Sequence, residues 1–162
     1  MAQATSAQIA PNLVDCLHRA VGGILEAVTG EAPAPRPEDC PEQLLTCDGV
    51  IGLISLVGDV EWALVVGLPP TTAPALAERF AGFPIEFGSA DMGDAIGELT
   101  NLIAGEVKVE LDGAGVRVNI SLPQVFRGMG IEILKLPHTP SRVLTYDHAC
   151  GPFLVAIAAG RC

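Results

Sequence analysis

Basic residues, aromatic residues and long apolar runs are all scarce in this sequence. Nine lysines and arginines oppose nineteen aspartates and glutamates, so the 162 residues carry a formal charge of −10 at pH 7. Nucleic acids and anionic membranes bind surfaces with an excess of positive charge, and this balance argues against both as partners. No apolar run approaches the about 18 residues that a membrane-spanning helix needs.

Aliphatic side chains dominate instead. Hydrophobic residues make up 49% of the chain and aromatic residues only 4%, which excludes a disordered acidic tail and predicts a core of Ala, Val, Leu and Ile. The length is that of one ordinary domain. We expect residues 1–10, which are small and polar, to form a flexible N-terminal tail, and residues 11–162 to fold as one domain.

The cysteine pattern and the first residues bear on the cellular compartment. The five cysteines are odd in number and contain no C-x-x-C pair, so they cannot all pair within one chain. Residues 1–11 lack the basic and apolar stretches of a signal peptide. We therefore expect a reduced, cytoplasmic protein.

The first half of the chain predicts a helix, a loop and a hairpin. Apolar residues at helical spacing predict a first helix that Asn12 caps and that ends near Thr29. Four prolines make Glu31–Glu42 a surface loop. Two β-rich runs, Val50–Val57 and Val60–Gly67, flank a Gly-Asp turn and predict a β-hairpin.

Two helices and a series of strands follow. A short helix is predicted to end near Ala81, and a third to run from Ala90 to Leu111 with Ser89 as its cap. The remaining strands are predicted at Val116–Leu122, Ile131–Leu136, Val143–Asp147 and Pro152–Ala159. In the first of these, Val116, Val118, Ile120 and Leu122 alternate with polar residues and are predicted to face the core. This order indicates an α+β fold, an antiparallel-rich sheet packed by the long first helix and by the third helix.

The third helix carries a narrow polar stripe. At about 100° per residue, Glu98, Asn101 and Gly105 all fall within about 40° of Asp94, opposite the aliphatic side chains. Most polar stripes on helices are simply solvated faces. However, glycine weakens a helix by about 1 kcal/mol relative to alanine, and Gly105 on the stripe would let another backbone approach closely.

The stretch Asp94–Lys108 resembles the helix motif of the CheC/CheX/FliY chemotaxis phosphatases. That motif has an aspartate or serine, a glutamate four residues on, an asparagine three further, and a proline a little over twenty residues later. Pro123 fills the proline position, with 21 residues between it and Asn101. Gly52–Asp59 looks like the family's first hairpin, and Pro123–Gly128 like its turn after a strand. The single Glu-x-x-Asn motif is closest to CheX.

The resemblance implies a phosphatase that acts on a phosphorylated CheY-like receiver. It assigns Asn101 to orienting the attacking water and Glu98 to binding a lysine of the receiver. Asp94 and Gly105 on the same stripe are candidate partner contacts, although Asp94 could instead orient the helix start or cap a turn, and Gly105 could be an early C-cap. Pro123 is expected to be structural. It also implies a homodimer through continuous sheet pairing. No cofactor is expected on this chain, because the receiver carries the Mg²⁺.

Other hypotheses stay open beside this one. The chain could instead be a non-catalytic receiver-binding module, or a scaffold component of a signalling complex. No metal site is predicted, because Cys16 and His18 point about 200° apart on a helix. His148 and Cys150 could suggest a thiol nucleophile, but acidic surroundings would raise the thiol pKa, so an incidental cysteine is expected.

Overall fold

Three helices and one sheet form the part of the chain that the structure, a computed structural model, describes: residues 11–37, 45–133 and 140–159. The helices are α1 (Pro11–Thr29), α2 (Thr72–Ala81) and α3 (Ala90–Gly113). The strands are β1 (Ala34–Pro35), β2 (Leu45–Gly58), β3 (Glu61–Leu68), β4 (Val118–Ile120), β5 (Gln124–Ile133), β6 (Ser141–Asp147) and β7 (Phe153–Ala159). The predicted tail, residues 1–10, lies outside the described residues. None of the three helices is long and apolar enough to cross a membrane.

The sheet is antiparallel and carries the helices on one face. Its strand order is β1-β6-β7-β3-β2-β4, and β5 also pairs with β2, on the side where β4 lies. Leu17 of α1, Leu76 of α2 and Ile103 of α3 join Leu64 and Val155 of the sheet in one buried core. The predicted α+β architecture is therefore confirmed.

The predicted hairpin is confirmed, but its first strand is longer than expected. Val57 pairs with Glu61 across the turn. β2 begins at Leu45, five residues before the predicted start at Val50. The added residues pair with β5, a long-range contact that local composition does not encode.

The proline-rich segment agrees with its prediction where it is described. Ala34 and Pro35 form a two-residue edge strand on β6, and residues 38–44 lie outside the described part. Proline is tolerated at a sheet edge because its missing N–H then removes no internal ladder bond. The last two predicted strands are confirmed as β6 and β7.

The prediction that Leu122 faces the core is wrong. β4 spans only Val118–Ile120; Val118 is 2% exposed as predicted, but Leu122 is 86% exposed. The pairing explains the difference. Ile54 and Ser55 of β2 lie opposite three residues, 121–123, so one extra residue enters this strand as a β-bulge. After the bulge the inward and outward positions are exchanged.

The turn predicted at Pro123–Gly128 is also wrong, because Gln124–Gly128 belong to β5 and pair with β2. The glycines of this segment look like turn residues, but the pairing partner comes from a distant part of the chain. Of the strand predicted at Ile131–Leu136, Ile131–Ile133 form the end of β5. Residues 134–136 lie outside the described part.

The helix starts are partly as predicted. α1 begins at Pro11, so Asn12 lies inside the first turn and does not cap it; that prediction is wrong. Proline suits this first position because its missing N–H has no intrahelical partner there. Ser89 occupies the N-cap of α3 as predicted, but its hydroxyl donates to the Glu86 carbonyl (2.7 Å) instead of accepting from the helix.

Candidate active site on the third helix

The polar stripe of α3 lies on the surface, as the helical wheel predicts. Asp94 and Glu98 are exposed, and Asn101 is half-buried. On the opposite side Leu99 is 1% exposed and Ile103 is fully buried. The aliphatic face therefore anchors the helix and leaves the carboxylates and the amide toward solvent.

A glycine of the sheet lets the motif helix approach β2 closely. Thr100 is fully buried, and its hydroxyl donates to the Ile96 carbonyl at 2.7 Å. A Cβ added to Gly52 would lie 2.0 Å from the Thr100 Oγ1, far inside van der Waals contact. Because Thr100 immediately precedes Asn101, this contact fixes the helix turn that carries the candidate catalytic amide. Sequence reasoning missed the pair, since nothing local links positions 52 and 100.

The segment from β4 to β5 runs antiparallel along one side of α3. Lys108 Nζ donates to the Val118 carbonyl near one end of the helix, and Arg127 Nη1 donates to the Ser89 carbonyl (2.8 Å) at the other. Between them, a Cβ on Gly97 would lie 3.4 Å from Val125 Cγ2 and 3.7 Å from Pro123 Cγ. Pro123 thus borders the helix one turn before Asn101, and its structural role stays a prediction.

The charges of α3 are strongly acidic. The helix has six carboxylates and one lysine. Among the described residues, the Glu110 carboxylate pairs with Arg19 at 2.7 Å, and the Asp112 carboxylate pairs with Lys108 at 3.6 Å. The hydrogen bond from Arg19 lowers the pKa of Glu110. Glu98 takes part in no ion pair of the described chain, so its carboxylate is available to a cation from outside.

The two neutral members of the stripe are also uncommitted. In the described chain, the α3 side chains that form hydrogen bonds are Thr100, Lys108 and Glu110, which leaves the Asn101 amide available. Gly105 is half-buried, and a Cβ added there would meet nothing within 4 Å. The described chain's own packing therefore does not require glycine at this position.

His18, His148 and the half-buried Cys150 have structural partners instead. His18 Nδ1 lies 2.9 Å from the Tyr146 hydroxyl. The Tyr146 ring stacks on the Phe153 ring, with the two ring centroids 5.0 Å apart. His148 Nδ1 accepts a hydrogen bond from the Cys150 backbone N–H at 3.1 Å. Burial raises the pKa of Cys150, which is the expected direction; Arg79 opposes the shift and the acidic Glu31 adds a smaller contribution to it. The described residues contain no cluster of three potential metal ligands.

The fold and the motif helix define a class of protein, an α+β domain of the CheC/CheX type. A CheC-like superfamily protein from Shewanella species PV-4 superimposes with a TM-score of 0.84 at 19% identity, over 94% of this chain and 99% of that one. The Borrelia burgdorferi CheX, solved in a complex with CheY, BeF₃ and Mg²⁺, superimposes with a TM-score of 0.74 at 16% identity, over 91% and 96%.

The sequence comparisons narrow the class to one family. Residues 50–146 match the model of the chemotaxis phosphatase CheX. The CheY-P phosphatase CheX of Thermotoga maritima is 28% identical over 141 residues, which cover 81% of this chain and 86% of that protein. The chain belongs to the CheX family, as its motif predicted.

Proposed function

We propose that this chain hydrolyses the aspartyl phosphate of a CheY-like receiver. The observation that carries the proposal is the pair Glu98 and Asn101, both uncommitted within the described chain, on the outer face of a helix that is otherwise tied to the sheet. The family membership and the named activity of the Thermotoga maritima relative support it.

Asn101 has the chemistry to place the attacking water. An aspartyl phosphate is an acyl phosphate and is already reactive, so the phosphatase contributes mainly by positioning. The Asn101 side chain can accept a hydrogen bond from water through its carbonyl and donate through its NH₂. An amide is a poor general base, so we assign it to aligning the water with phosphorus and not to removing a proton.

Glu98 is proposed to fix the register of the complex. One turn separates it from Asn101 on the same face, and no internal cation competes for its carboxylate in the described chain. A lysine at the receiver's active site would donate a charge-assisted hydrogen bond to it. Asp94 and Gly105 extend the same stripe and are proposed as further partner contacts.

The chain itself is proposed to bind no cofactor. The magnesium ion of the receiver would neutralise the charge on the transferring phosphoryl group, and Asn101 and Glu98 would supply the remaining contacts. The Borrelia burgdorferi CheX was solved with Mg²⁺ in its complex with CheY, which supports this division of roles.

The decisive experiment measures loss of phosphate from a CheY that has been phosphorylated with acetyl phosphate. Wild type is expected to accelerate the decay, and Asn101→Ala to lose about a hundredfold or more of that acceleration. Asn12→Ala, which changes an exposed asparagine on α1, is the matched control and should keep the full rate. No acceleration by wild type, or an equally fast Asn101→Ala, would contradict the proposal.

A second comparison separates catalysis from binding alone. Glu98→Gln is expected to raise KM for the receiver, while Glu26→Gln, an exposed glutamate on α1, leaves it unchanged. Tight association of wild type with CheY whether or not it is phosphorylated, without turnover, would favour the non-catalytic binding or scaffold hypothesis instead.

We also propose that the chain forms a homodimer by sheet pairing. In the described residues β5 pairs only with β2, so its other edge offers unpaired backbone groups. Phe126 and Met129 on this strand are 48% and 70% exposed. Sedimentation velocity at several concentrations tests the proposal; a strictly monomeric protein contradicts it.

A further inference from the structure

The β-bulge at residues 121–123 turns a large apolar side chain outward beside the motif helix. Leu122 is 86% exposed, a larger fraction than for any other large hydrophobic residue in the described chain. Single exposed leucines are common on protein surfaces and cost little stability, so exposure by itself does not indicate a function. The position and the backbone around this one distinguish it.

Hydrogen bonds hold the bulge on β2. The Ser121 N–H donates to the Ser55 carbonyl at 2.9 Å, and the Ser55 N–H donates to Ser121 Oγ at 3.0 Å. The Ser121 hydroxyl donates in turn to the Leu122 carbonyl at 3.0 Å. The backbone that presents Leu122 is therefore fixed before any partner arrives, and little backbone entropy remains to be lost on binding.

The course of the chain places Leu122 on the Asn101 side of the stripe. The Val118 carbonyl accepts a hydrogen bond from the Lys108 side chain, and Pro123 lies beside Gly97. Residues 119–122 therefore pass along the helix turns between positions 97 and 108. Asn101 and Gly105 belong to these turns. A partner that covers the Asn101 amide would therefore also meet the side chain of Leu122.

We propose that Leu122 is a receiver-binding residue, an apolar contact that inserts into an uncharged depression bordering the phosphorylated aspartate of the receiver. This inference rests on the proposed function of the Glu98–Asn101 pair. The acidic stripe alone gives register and charge recognition, whereas a leucine that is desolvated on binding adds affinity. Bulges beside active sites commonly re-aim a side chain in this way.

The test compares Leu122→Ser with wild type in the decay of acetyl-phosphate-phosphorylated CheY. Because Leu122 contacts the partner and not the reacting atoms, we expect KM to rise about tenfold or more and kcat to stay within about twofold. Leu122→Met, which keeps an apolar side chain of similar volume, should restore KM to near the wild-type value.

Phe83→Ser is the matched control. Phe83 is also exposed, at 56%, but it comes before the N-terminal end of α3 in the chain. Ser89, at that end of the helix, is about 18 Å along the helix axis from Asn101. The KM of Phe83→Ser should not change. An unchanged KM for Leu122→Ser, or an equal rise for Phe83→Ser, overturns the proposal.

Binding of BeF₃-activated CheY, measured by titration calorimetry, keeps this inference separable from the proposed function. If wild type binds but does not accelerate decay, the catalytic proposal fails, and weaker binding by Leu122→Ser still supports the docking role. If wild type neither binds nor accelerates decay, both fail. If Leu122→Ser changes the sedimentation of the free protein but not its affinity for CheY, the residue belongs to a contact between copies and the inference is overturned.

Discussion

At the scale of the residue, single side chains decide how near the motif helix lies to the sheet. Gly52 and Thr100 interlock without space for one more methyl group, and Thr100 leads directly into Asn101. The glycine is needed for its missing Cβ, since its φ is not in the left-handed region. A buried contact of this kind sets the position of a surface amide without touching any partner.

Gly52→Ala is expected to lower the free energy of unfolding by about 1–3 kcal/mol, because the new methyl group must push α3 away from β2. Chemical denaturation measures the loss. Gly22→Ala is the control: a Cβ at Gly22 in α1 meets nothing within 4 Å, and alanine should stabilise the helix by up to about 1 kcal/mol. If both variants are equally stable, the close contact of β2 and α3 is not needed for the fold.

Tyr146 offers a test by pH. Burial raises its pKa, so the neutral phenol is the favoured form in the folded protein. Its contribution to stability is complete below the unfolded pKa of about 10 and is lost as the pH rises through that value toward the raised folded pKa. We expect the free energy of unfolding of Tyr146→Phe to fall less steeply with rising pH than that of wild type.

At pH 7 the same substitution should cost about 1 kcal/mol, since it removes the hydroxyl near His18 but keeps the ring stacked on Phe153. Tyr146 is the single tyrosine of the chain, so tyrosinate absorbance reports on it directly. Ionisation of Tyr146 in the folded protein near pH 10 would contradict its burial.

At the scale of the element, the strand that borders the site is divided by one extra residue. β4 and β5 pair with the same strand, β2, and the bulge between them exchanges the two faces. Val118 therefore faces the helices before the bulge, and Val125 faces them after it. This exchange brings Pro123 against the helix and leaves Leu122 outside.

Ser121→Ala is expected to loosen this bulge. It removes the acceptor of the Ser55 N–H, which should cost about 1 kcal/mol and speed the hydrogen exchange of that amide. Mass spectrometry or NMR of amide exchange reads the Ser55 position. Ser141→Ala on β6, at the other side of the sheet, should leave the Ser55 amide unchanged; equal exchange in all three proteins would mean that the serine does not hold the bulge.

At the scale of the whole molecule, the charge of −10 acts against the compact state. Added salt screens this repulsion, and it also weakens the exposed ion pairs of the described residues, which contribute little. Because the screened repulsion outweighs the weakened ion pairs, we expect added salt to stabilise the folded protein.

We expect Tm to rise by about 2–4 °C between about 20 mM and about 200 mM NaCl, which corresponds to recovery of about 1 kcal/mol. Glu26→Lys, at an exposed position of α1, reduces the net charge and should respond less. A fall of Tm with salt would show that the ion pairs outweigh the repulsion. Differential scanning calorimetry measures both proteins.

The local sequence was sufficient for several features, for physical reasons. Helical spacing identified the buried face of α3 and the stripe with Asp94, Glu98, Asn101 and Gly105, because a helix is defined by contacts within one turn. The Gly-Asp turn and the β-rich runs identified the β2–β3 hairpin for the same reason. The spacing of the motif identified the family.

Tertiary structure alone decided the features that depend on distant pairing. The length of β2, the strand where a turn was expected at Gln124–Gly128, and the outward position of Leu122 all follow from register against β2. A shift of one residue reverses every side chain of a strand, and no local pattern records such a shift. The sequence by itself thus determined which side chains lie on the outward stripe of α3, and pairing within the sheet decided which residues lie beside that stripe.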